Sequence, residues 1–186
     1  MNEQELAQLA AFKHVARGQV IVELGQGNQP LANRMAVVEI DEDAIAAYER
    51  WHPNDYDFGW DRVPRWKTNP AHARALDIAV WYESQLAGLC WATPQNSNDK
   101  IMVLYLQRNP DADLPTRGQI APICLSSVRY YALMLGLRWV VIKDPLPEAR
   151  QAYIRDGFRQ VKGVGLAYDL ASSYAAINSE EFGNGD

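Results

Sequence analysis

The segment Ile123-Cys-Leu-Ser-Ser-Val-Arg-Tyr-Tyr-Ala-Leu-Met-Leu135 begins the part of the chain whose pattern is most informative about the fold. Apolar residues would occupy most of its circumference as a helix, which indicates a buried helix, and Gly136 is placed to end it. Trp139-Val-Val-Ile-Lys143 follows and is typical of a strand that is covered on both faces. The chain is therefore predicted to pass from a long buried helix straight into the interior of a sheet.

Pro147-Glu-Ala-Arg-Gln-Ala-Tyr-Ile-Arg-Asp-Gly-Phe158 continues this stretch. Proline suits the first turn of a helix and glycine suits the position just after its end, so the pattern predicts a short helix that Gly157 closes. One tyrosine, Tyr153, lies in the second half of that helix. A further strand is expected up to Val161, which gives the order helix, strand, helix, strand.

Strand patterns also precede this stretch. Apolar residues alternate over Leu76–Tyr82, and a two-residue turn leads into Leu86–Ala92, so the two segments predict a hairpin. Ile101–Leu106 is apolar on both faces and is predicted to be central. Met35–Ile40 is a further strand candidate, after which Asp41 is placed to cap a helix. The pattern predicts an α/β (α+β) fold, with a mixed, mostly antiparallel sheet of about six or seven strands flanked by helices.

The N-terminal residues are predicted to form an extension of this fold. Residues 2–16 suit a short helix that Gly18 ends, Val20–Leu24 is a strand candidate, and Gly25–Pro30 is rich in turn residues. We therefore expect an N-terminal helix and strand extension over residues 1–30, a main domain over 31–171 and a flexible C-terminal tail over 172–186.

Composition narrows the class of protein. A chain of 186 residues with 48% hydrophobic residues is expected to form one globular domain. Its net charge of −5 makes binding to a nucleic-acid backbone unlikely. Since no apolar run has membrane length and no leader pattern begins the chain, we expect a cytoplasmic protein without a membrane segment. Cys90 and Cys124 each lie in an apolar run and are expected to be buried free thiols.

Four large aromatic residues lie in a region between Pro53 and Pro70 that is otherwise expected to be irregular: Tyr56, Phe58, Trp60 and Trp66. So many rings need burial or a ligand. Two interpretations stay open, namely packing over the sheet and lining the mouth of a substrate site. The histidines lack partners at metal-ligand spacing, and no nucleophile–His–Asp pattern is present, so the sequence predicts neither a metal site nor a hydrolase.

The order of these elements over residues 33 to 170 resembles the GCN5-related N-acetyltransferase (GNAT) superfamily. The best local match is Ala149–Phe158, which is similar to the family pattern A-x-x-x-Y-x-x-x-G-F. A second match is the junction of Arg117 and Gly118 with the helix that follows. The resemblance implies a GNAT-like acyltransferase domain that uses acetyl-CoA or another acyl-CoA as co-substrate, without a metal.

The resemblance also assigns a phosphate-binding loop. The family loop reads Q/R-x-x-G-x-G/A, and the corresponding residues here are Arg117-Gly-Gln-Ile-Ala-Pro122. Free amide hydrogens at the start of a helix suit a pyrophosphate. The loop departs from the pattern because Ile120 replaces a glycine and because Pro122 lacks an amide hydrogen. The cofactor-binding residues implied are Tyr105, Leu106, Arg117, Gly118, Gln119, Ile120 and Ala121.

The chemistry implied is direct attack of an amine on a thioester. Tyr153 matches the proton donor of the family, and a main-chain amide near Tyr105 and Leu106 would hold the oxyanion. Glu83 is the nearest carboxylate that could serve as general base, although a glutamate in a turn is more often only solvated. Three cations are candidates for the 3′-phosphate of coenzyme A or are solvated residues of the rim: Arg129, Arg138 and Lys143.

The resemblance thus predicts an enzyme that moves an acetyl or other short acyl group to an amine of a small molecule, a peptide or a protein. A homodimer is possible, and the sequence does not fix the oligomeric state. Two alternatives stay open. The first is a catalytically inactive GNAT-fold protein that binds a partner or senses a thioester. The second is a GNAT-fold enzyme acting on nucleic acid or tRNA.

Overall fold

One sheet of seven strands forms the centre of the computed structural model, which describes residues 1–51, 58–94, 97–110 and 114–172. The strands are Met35–Val38 (β1), Leu76–Tyr82 (β2), Gln85–Thr93 (β3), Lys100–Arg108 (β4), Trp139–Ile142 (β5), Arg159–Val161 (β6) and Gly165–Asp169 (β7). Their order across the sheet is β1-β2-β3-β4-β5-β7-β6. Strands β4 and β5 are parallel, and the other described pairs are antiparallel. The predicted mixed, mostly antiparallel sheet of about seven strands is confirmed.

Helices cover both faces of the sheet. They are Glu3–Ala32 (α1), Glu42–Tyr48 (α2), Val63–Thr68 (α3), Ile120–Met134 (α4) and Pro147–Arg155 (α5), with 3₁₀ turns at Trp60–Arg62 and Pro70–His72. Residues of α1, α4 and α5 share one buried cluster with the sheet, and residues of α2 and α3 share the other. We call these two sides the α4 face and the α3 face.

The N-terminal prediction was wrong, because α1 continues through Gly18, where the first helix was expected to end, through the expected strand Val20–Leu24 and through the turn-rich segment Gly25–Pro30. Leu9, Ala16 and Val20 are buried along one helical stripe, and Leu24 packs beside them. This four-residue spacing outweighs the strand preference of the branched side chains. A real interruption occurs later, at Asn28, whose φ of −152° and ψ of 75° are not helical.

A buried ion pair fixes α1 against the start of β2. Arg17 donates to the Asp77 carboxylate at 2.7 Å and to the Asp77 carbonyl at 2.8 Å. The other carboxylate oxygen accepts the Ile40 amide at 2.9 Å and lies 3.2 Å from the Lys67 ammonium. One carboxylate therefore joins α1, β2 and α3, and its partners satisfy the charge that burial would otherwise penalise.

Three further expectations concern an irregular segment, a helix cap and the C-terminal tail. The region expected to be irregular between Trp51 and Ala73 contains α3 and both 3₁₀ turns, which was not anticipated, while residues 52–57 lie outside the described part. Asp41 caps α2 as predicted, with its side chain accepting the Ala44 amide at 2.8 Å. All but the first residue of the predicted tail, 173–186, also lies outside the described residues.

Strand β4 carries an extra residue that changes which way its side chains point. Ala92 of β3 pairs with Val103, but Trp91 pairs with Tyr105, so Leu104 is a bulge. Leu104 and Tyr105 consequently both pack on the α3 face, whereas Leu106 packs on the α4 face. Beyond the bulge, the Tyr105 side chain packs on the α3 face, and the side chain of the next residue, Leu106, packs on the α4 face.

Beyond this bulge, β4 loses its neighbour on one side. The register of β5 pairs it with Lys100–Val103, and the Lys143 amide then donates to the Val103 carbonyl at 3.1 Å. Strand β4 continues over Leu104–Arg108 while β5 ends at Ile142. A gap therefore opens in the sheet beside Leu104, Tyr105 and Leu106, each of which is partly exposed.

Helix α4 sits on β3 through a close contact between an isoleucine and a glycine. Ile120 is 2% exposed, and its side chain lies directly over Gly88. A Cβ atom added at Gly88 would lie 2.2 Å from Ile120 Cγ2, which is well inside contact distance. Glycine at position 88 thus allows the first turn of α4 to approach the sheet.

We expect Gly88→Ala to lower the free energy of unfolding by about 1–3 kcal/mol, because the added methyl group overpacks this contact. Urea denaturation measures the change, and the double variant Gly88→Ala/Ile120→Ala should lose less than the sum of the single changes. Gly18→Ala is the matched control, since no atom lies within 4 Å of a Cβ built there. In that helix interior alanine should stabilise by about 0.5–1 kcal/mol. Equal stability of Gly88→Ala and the wild type would contradict the contact.

Candidate active site

A cavity of about 430 Å³ lies on the α4 face, beside the part of β4 that has no paired strand toward β5. Three elements form it: the end of β4, the loop and first turn of α4, and the second half of α5. Its lining consists of Leu106, Arg108, Gly118, Ile120, Ala121, Pro122, Leu125, Ala152, Tyr153, Arg155 and Asp156. The gap in the sheet and this cavity therefore share one wall.

The end of α5 fixes the position of Tyr153. Gly157 has a φ of +91°, which suits the residue after a helix end. The Phe158 amide donates to the Tyr153 carbonyl at 3.0 Å, and the Gly157 amide donates to the Ile154 carbonyl at 3.1 Å. Phe158 is fully buried, and its ring lies edge-on to that of Tyr153 at 6.1 Å. The Tyr–Gly–Phe pattern is thus a helix cap that orients the tyrosine.

The Tyr153 phenol sits in an apolar environment at the edge of the cavity. The residue is 8% exposed. Burial raises the pKa of Tyr153 to about 12, and the neighbouring Cys90 and Cys124 thiols add to the rise. Among the described residues its hydroxyl has no hydrogen-bond partner. The phenol is therefore protonated at neutral pH and is available to donate to a bound molecule.

Cys90 and Cys124 are free and buried, as predicted. Their contact with each other, together with burial, raises the pKa of the Cys90 thiol. A neutral thiol is a weak nucleophile, so Cys90 does not have the character of a covalent catalyst.

The first turn of α4 presents amide hydrogens to the cavity. Gly118 has a φ of +81°, and a Cβ built on it meets no atom within 4 Å. Within the described part of the chain, the amides of Gly118, Ile120 and Ala121 have no acceptor. The Ile120 side chain packs against Gly88, and the residue is among those that line the cavity. Pro122 contributes no donor.

The charges around the cavity favour an anionic ligand. Arg108 and Arg155 line it, and neither guanidinium forms an ion pair with a described residue. Asp156 also lines it, but Arg129 neutralises that carboxylate by direct contact. Arg129 also stacks over Tyr168 at 4.1 Å, which ties α4 to β7. Two unpaired cations and a helix start together suit phosphate groups.

The structure brings some of the predicted residues together and separates others. Tyr153, Leu106, Gly118, Ile120 and Ala121 all line the cavity. Tyr105 adjoins the gap but packs on the α3 face. Arg117 is exposed and is not part of the lining, and Gln119 lines a neighbouring cavity between α1 and α4.

Glu83 is not brought to the cavity. It lies in the β2–β3 turn and is ion-paired with Arg34 at 2.7 Å, with both side chains about half exposed. Of the cations considered for the 3′-phosphate, Arg129 forms an ion pair with Asp156, and Arg138 forms one with Asp169 at 3.0 Å. Lys143 is exposed at the end of β5.

Sequence reasoning missed Arg108 and Arg155. A signal for Arg108 was present, because in a strand residue 108 shares a face with Leu106, and Leu106 was already a candidate. Arg155 lies close to the helix end, where cations are common for reasons of stability alone. Its approach to the cavity depends on how α5 packs against α4, which no local pattern specifies.

The arrangement can hold an elongated anionic molecule. Phosphate groups fit the start of α4 and the two arginines, and a narrow apolar arm fits between Leu106 and Ala152. The end of that arm would reach the gap in the sheet beside Tyr153. Among the described residues, no cluster of histidine, cysteine and acidic side chains could hold a metal ion. No described helix combines the length and apolar character needed to cross a membrane.

Solved acetyltransferase structures share this fold. A GNAT-family acetyltransferase described as putative, from Desulfovibrio desulfuricans, is 12% identical with a TM-score of 0.54, covering 73% of this chain and 99% of that one. An acetyltransferase from Streptococcus agalactiae is 11% identical with a TM-score of 0.53, covering 70% and 86%. The aminoglycoside 6′-N-acetyltransferase from Enterococcus faecium is 13% identical with a TM-score of 0.51, covering 72% and 96%. The chain therefore has the GNAT acyltransferase fold, as the resemblance implied.

The likeness lies in the structure and not in the sequence. No model of a known protein family matches the sequence, and no curated protein matches it either.

The raised pKa of Tyr153 predicts how stability depends on pH. The unfolded phenol ionises near its ordinary pKa of about 10, whereas the folded phenol stays neutral up to about 12. The contribution of the neutral phenol to the free energy of unfolding is therefore complete below pH 10 and is lost as the pH rises toward 12. Relative to Tyr153→Phe, the wild type should lose about 1.3 kcal/mol of unfolding free energy between pH 9 and pH 11. Denaturation curves at both pH values measure this, and a pH-independent difference would contradict the burial of the phenol.

Proposed function

We propose that the protein transfers an acetyl or other short acyl group from coenzyme A to an amine. The observation that carries the proposal is the end of β4–β5 pairing at Val103 and Ile142, next to a cavity that contains Tyr153 and the start of α4. A gap of this kind gives a thioester access to main-chain donors inside a sheet. The fold is also that of known acetyltransferases, although fold alone does not establish activity.

The pyrophosphate would be held by the amides of Gly118, Ile120 and Ala121, with Arg108 and Arg155 supplying positive charge. The pantetheine arm would extend along β4 toward Leu106. A β4 amide beside the gap would then donate to the thioester oxygen as negative charge develops on it. Each of these roles is inferred from the residues that line the cavity and not from the volume of the cavity.

In the proposed step, the amine nitrogen forms a bond to the acyl carbon and the carbon–sulfur bond breaks. The amine releases one proton and the sulfur takes up one, so the reaction is neutral in protons. Tyr153 would donate its hydroxyl hydrogen to the departing sulfur and recover a proton from the amine through solvent. Since its pKa of about 12 exceeds that of an ordinary thiol, about 8.5, the phenol stabilises the departing thiolate chiefly by a hydrogen bond, and complete transfer of its proton draws on the proton that the amine releases.

The acceptor would be an amine of a small molecule, a peptide or a protein. The solved structures with this fold include an aminoglycoside 6′-N-acetyltransferase, so acyl transfer to the amine of a small molecule is within the range of the fold. Glu83 is not carried into this mechanism as a base, because it is paired with Arg34 outside the cavity lining. Deprotonation of the amine would proceed through water.

A second candidate function is binding of coenzyme A without turnover. Pro122 favours it, because this residue removes one amide donor from the turn that would hold the pyrophosphate. Binding of acetyl-CoA without consumption in the presence of any amine would select this alternative over the enzyme.

We expect acetyl-CoA to bind with a micromolar Kd in isothermal titration calorimetry. Arg108→Ala should weaken the affinity at least tenfold, because a cation that faces phosphate is lost. Gly118→Val should weaken it by a similar factor, since a branched side chain occupies the approach to the free amides and strains a φ of +81°.

Arg159→Ala is the matched control for the charge change, because Arg159 is an exposed arginine on β6 that does not line this cavity. It should leave the Kd within a factor of two. Absence of heat with the wild-type protein, or equal losses for Arg108→Ala and Arg159→Ala, would remove the cavity as the binding site.

We expect Tyr153→Phe to lower kcat for acyl transfer at least tenfold, equivalent to about 1.4 kcal/mol of barrier, while the Kd of acetyl-CoA changes little. The reason is that the phenol acts on the sulfur only as the bond breaks. Release of free thiol, followed with a thiol-reactive dye at saturating acetyl-CoA, measures the rate. An unchanged kcat would exclude Tyr153 from the chemical step.

A further inference from the structure

Three partly exposed aromatic rings lie together on the α3 face. Trp66 is stacked on Tyr105, with ring centres 5.7 Å apart and planes at 20°, and Phe58 is tilted against the same tyrosine at 5.6 Å. We call Phe58, Trp66 and Tyr105 the aromatic wall. Packing over the sheet is confirmed for Trp60 of this aromatic-rich segment, which is fully buried, while lining of a substrate site stays a prediction.

Buried neighbours hold the aromatic wall in place. Trp60 is fully buried, and its indole nitrogen donates to Gln107 Oε1 at 2.5 Å. Its ring lies edge-on to Tyr105 at 6.1 Å. Trp91 is 2% exposed, and the centre of its ring lies 5.3 Å from the centre of the Trp66 ring. Rings fixed in this way lose little conformational entropy when a ligand packs against them.

The aromatic wall and the cavity lie on opposite faces of the same gap. Tyr105 belongs to the wall, and the next residue, Leu106, lines the cavity. No strand pairs with either residue on the β5 side in the described register. A thioester that enters from the α4 face would therefore present its carbonyl carbon toward Tyr105. A nucleophile approaching from the α3 face would pass along the wall.

The chemistry of the aromatic wall selects among amines. Ring faces and edges at fixed angles favour another flat apolar group. The charged side chains on the adjoining segment, residues 59–68, are Asp61, Arg62, Arg65 and Lys67; Lys67 is paired with Glu39 and Asp77, which leaves two arginines against one carboxylate there. A polycation would be repelled by this segment, whereas a single amine on an apolar body would not.

Building on the acyltransferase function proposed above, we propose that the aromatic wall is the acceptor subsite and that its substrate is a primary amine carried on an aromatic ring system. The ring of the acceptor packs against Trp66 and Phe58, and its amine reaches the gap beside Tyr105. The nitrogen then bonds to the acyl carbon as the carbon–sulfur bond breaks, and the amine proton leaves as the sulfur is protonated. Trp66 and Phe58 set specificity, and they take no part in the proton transfers.

The test compares 2-phenylethylamine, 2-cyclohexylethylamine and ethylamine as acceptors at saturating acetyl-CoA. The first two amines have the same carbon skeleton size, but only the first is flat. We expect kcat/KM for 2-phenylethylamine to exceed that for 2-cyclohexylethylamine at least fivefold and that for ethylamine at least a hundredfold. Trp66→Leu should reduce the value for 2-phenylethylamine tenfold or more and change that for ethylamine less than twofold. Phe58→Leu provides a second variant that tests the same wall.

Trp139→Leu is the matched control, because Trp139 is also a partly exposed tryptophan but lies on β5 beside Arg138. It should leave the preference among the three amines unchanged. Thermal melting followed by circular dichroism verifies that each variant is folded. Equal kcat/KM for the flat and non-flat amines in the wild type, with transfer to ethylamine retained, would overturn the proposal that the aromatic wall is the acceptor subsite. It would leave the proposed acyltransferase function unaffected.

A binding measurement separates failure of the enzyme from failure of the wall. If no amine is acetylated, calorimetry with 2-phenylethylamine alone still decides the question. A Kd at least tenfold weaker in Trp66→Leu than in Trp139→Leu would support the wall as an amine-binding surface in a protein without turnover. Absence of binding to the wild type at millimolar concentration would overturn it.

Discussion

The pairing between β4 and β5 ends early, and this early end determines where a molecule can enter the sheet. Four residues of each strand are paired, the Lys143 amide closes the ladder on Val103, and β4 then continues with β3 as its only strand neighbour among the described residues. The backbone groups of Leu104–Arg108 that face the gap are left without a strand partner, and unpaired main-chain groups inside a protein need either water or a ligand. Beside the gap, Tyr105 packs on the α3 face and Leu106 packs on the α4 face. A molecule bound in the gap can therefore be contacted from both sides of the sheet.

Two packing devices keep the surroundings of that gap in place. The cap of α5 joins Gly157, Phe158 and Tyr153, so the phenol is positioned by a buried ring and two main-chain hydrogen bonds. Arg129 joins α4 to the same helix end through Asp156. Burial of Asp156 is the largest influence on its carboxyl and raises its pKa, while Arg129 opposes the rise. The position of Tyr153 thus depends on the cap of α5 and on the contact between α4 and the end of α5.

Much of the fold could be predicted from the sequence because it is encoded locally. The alternation over β2, the Asp41 cap and the glycine ends of α4 and α5 each follow from residues close together in the chain. The extent of α1 could not be predicted in this way. Val20, Ile21 and Val22 favour a strand by local preference, and the packing of Val20 and Leu24 against distant parts of the chain decides in favour of a helix.

The candidate site was predicted only in part, because contacts between residues far apart in the chain determine much of it. Tyr153 and Gly118 carry signals in their own helix and loop, whereas the role of Ile120 depends on Gly88 in another strand. Ile120, which stands where the family pattern has a glycine, packs against Gly88 and lines the cavity. The bulge at Leu104 and the position of Arg155 likewise arise from long-range contacts. Local patterns identified the chemistry that is possible, and tertiary packing determined which groups share the cavity.

The most direct test of this account is amide hydrogen exchange, followed residue by residue by NMR, with and without acetyl-CoA. If the thioester enters the gap, the amides of Leu104–Leu106 and of Gly118–Ala121 should be protected together, while those of the β2–β3 turn around Glu83 should be unaffected. Protection confined to the start of α4, with exchange at Leu104–Leu106 unchanged, would show that the ligand stays on the surface of the helix and would contradict the account.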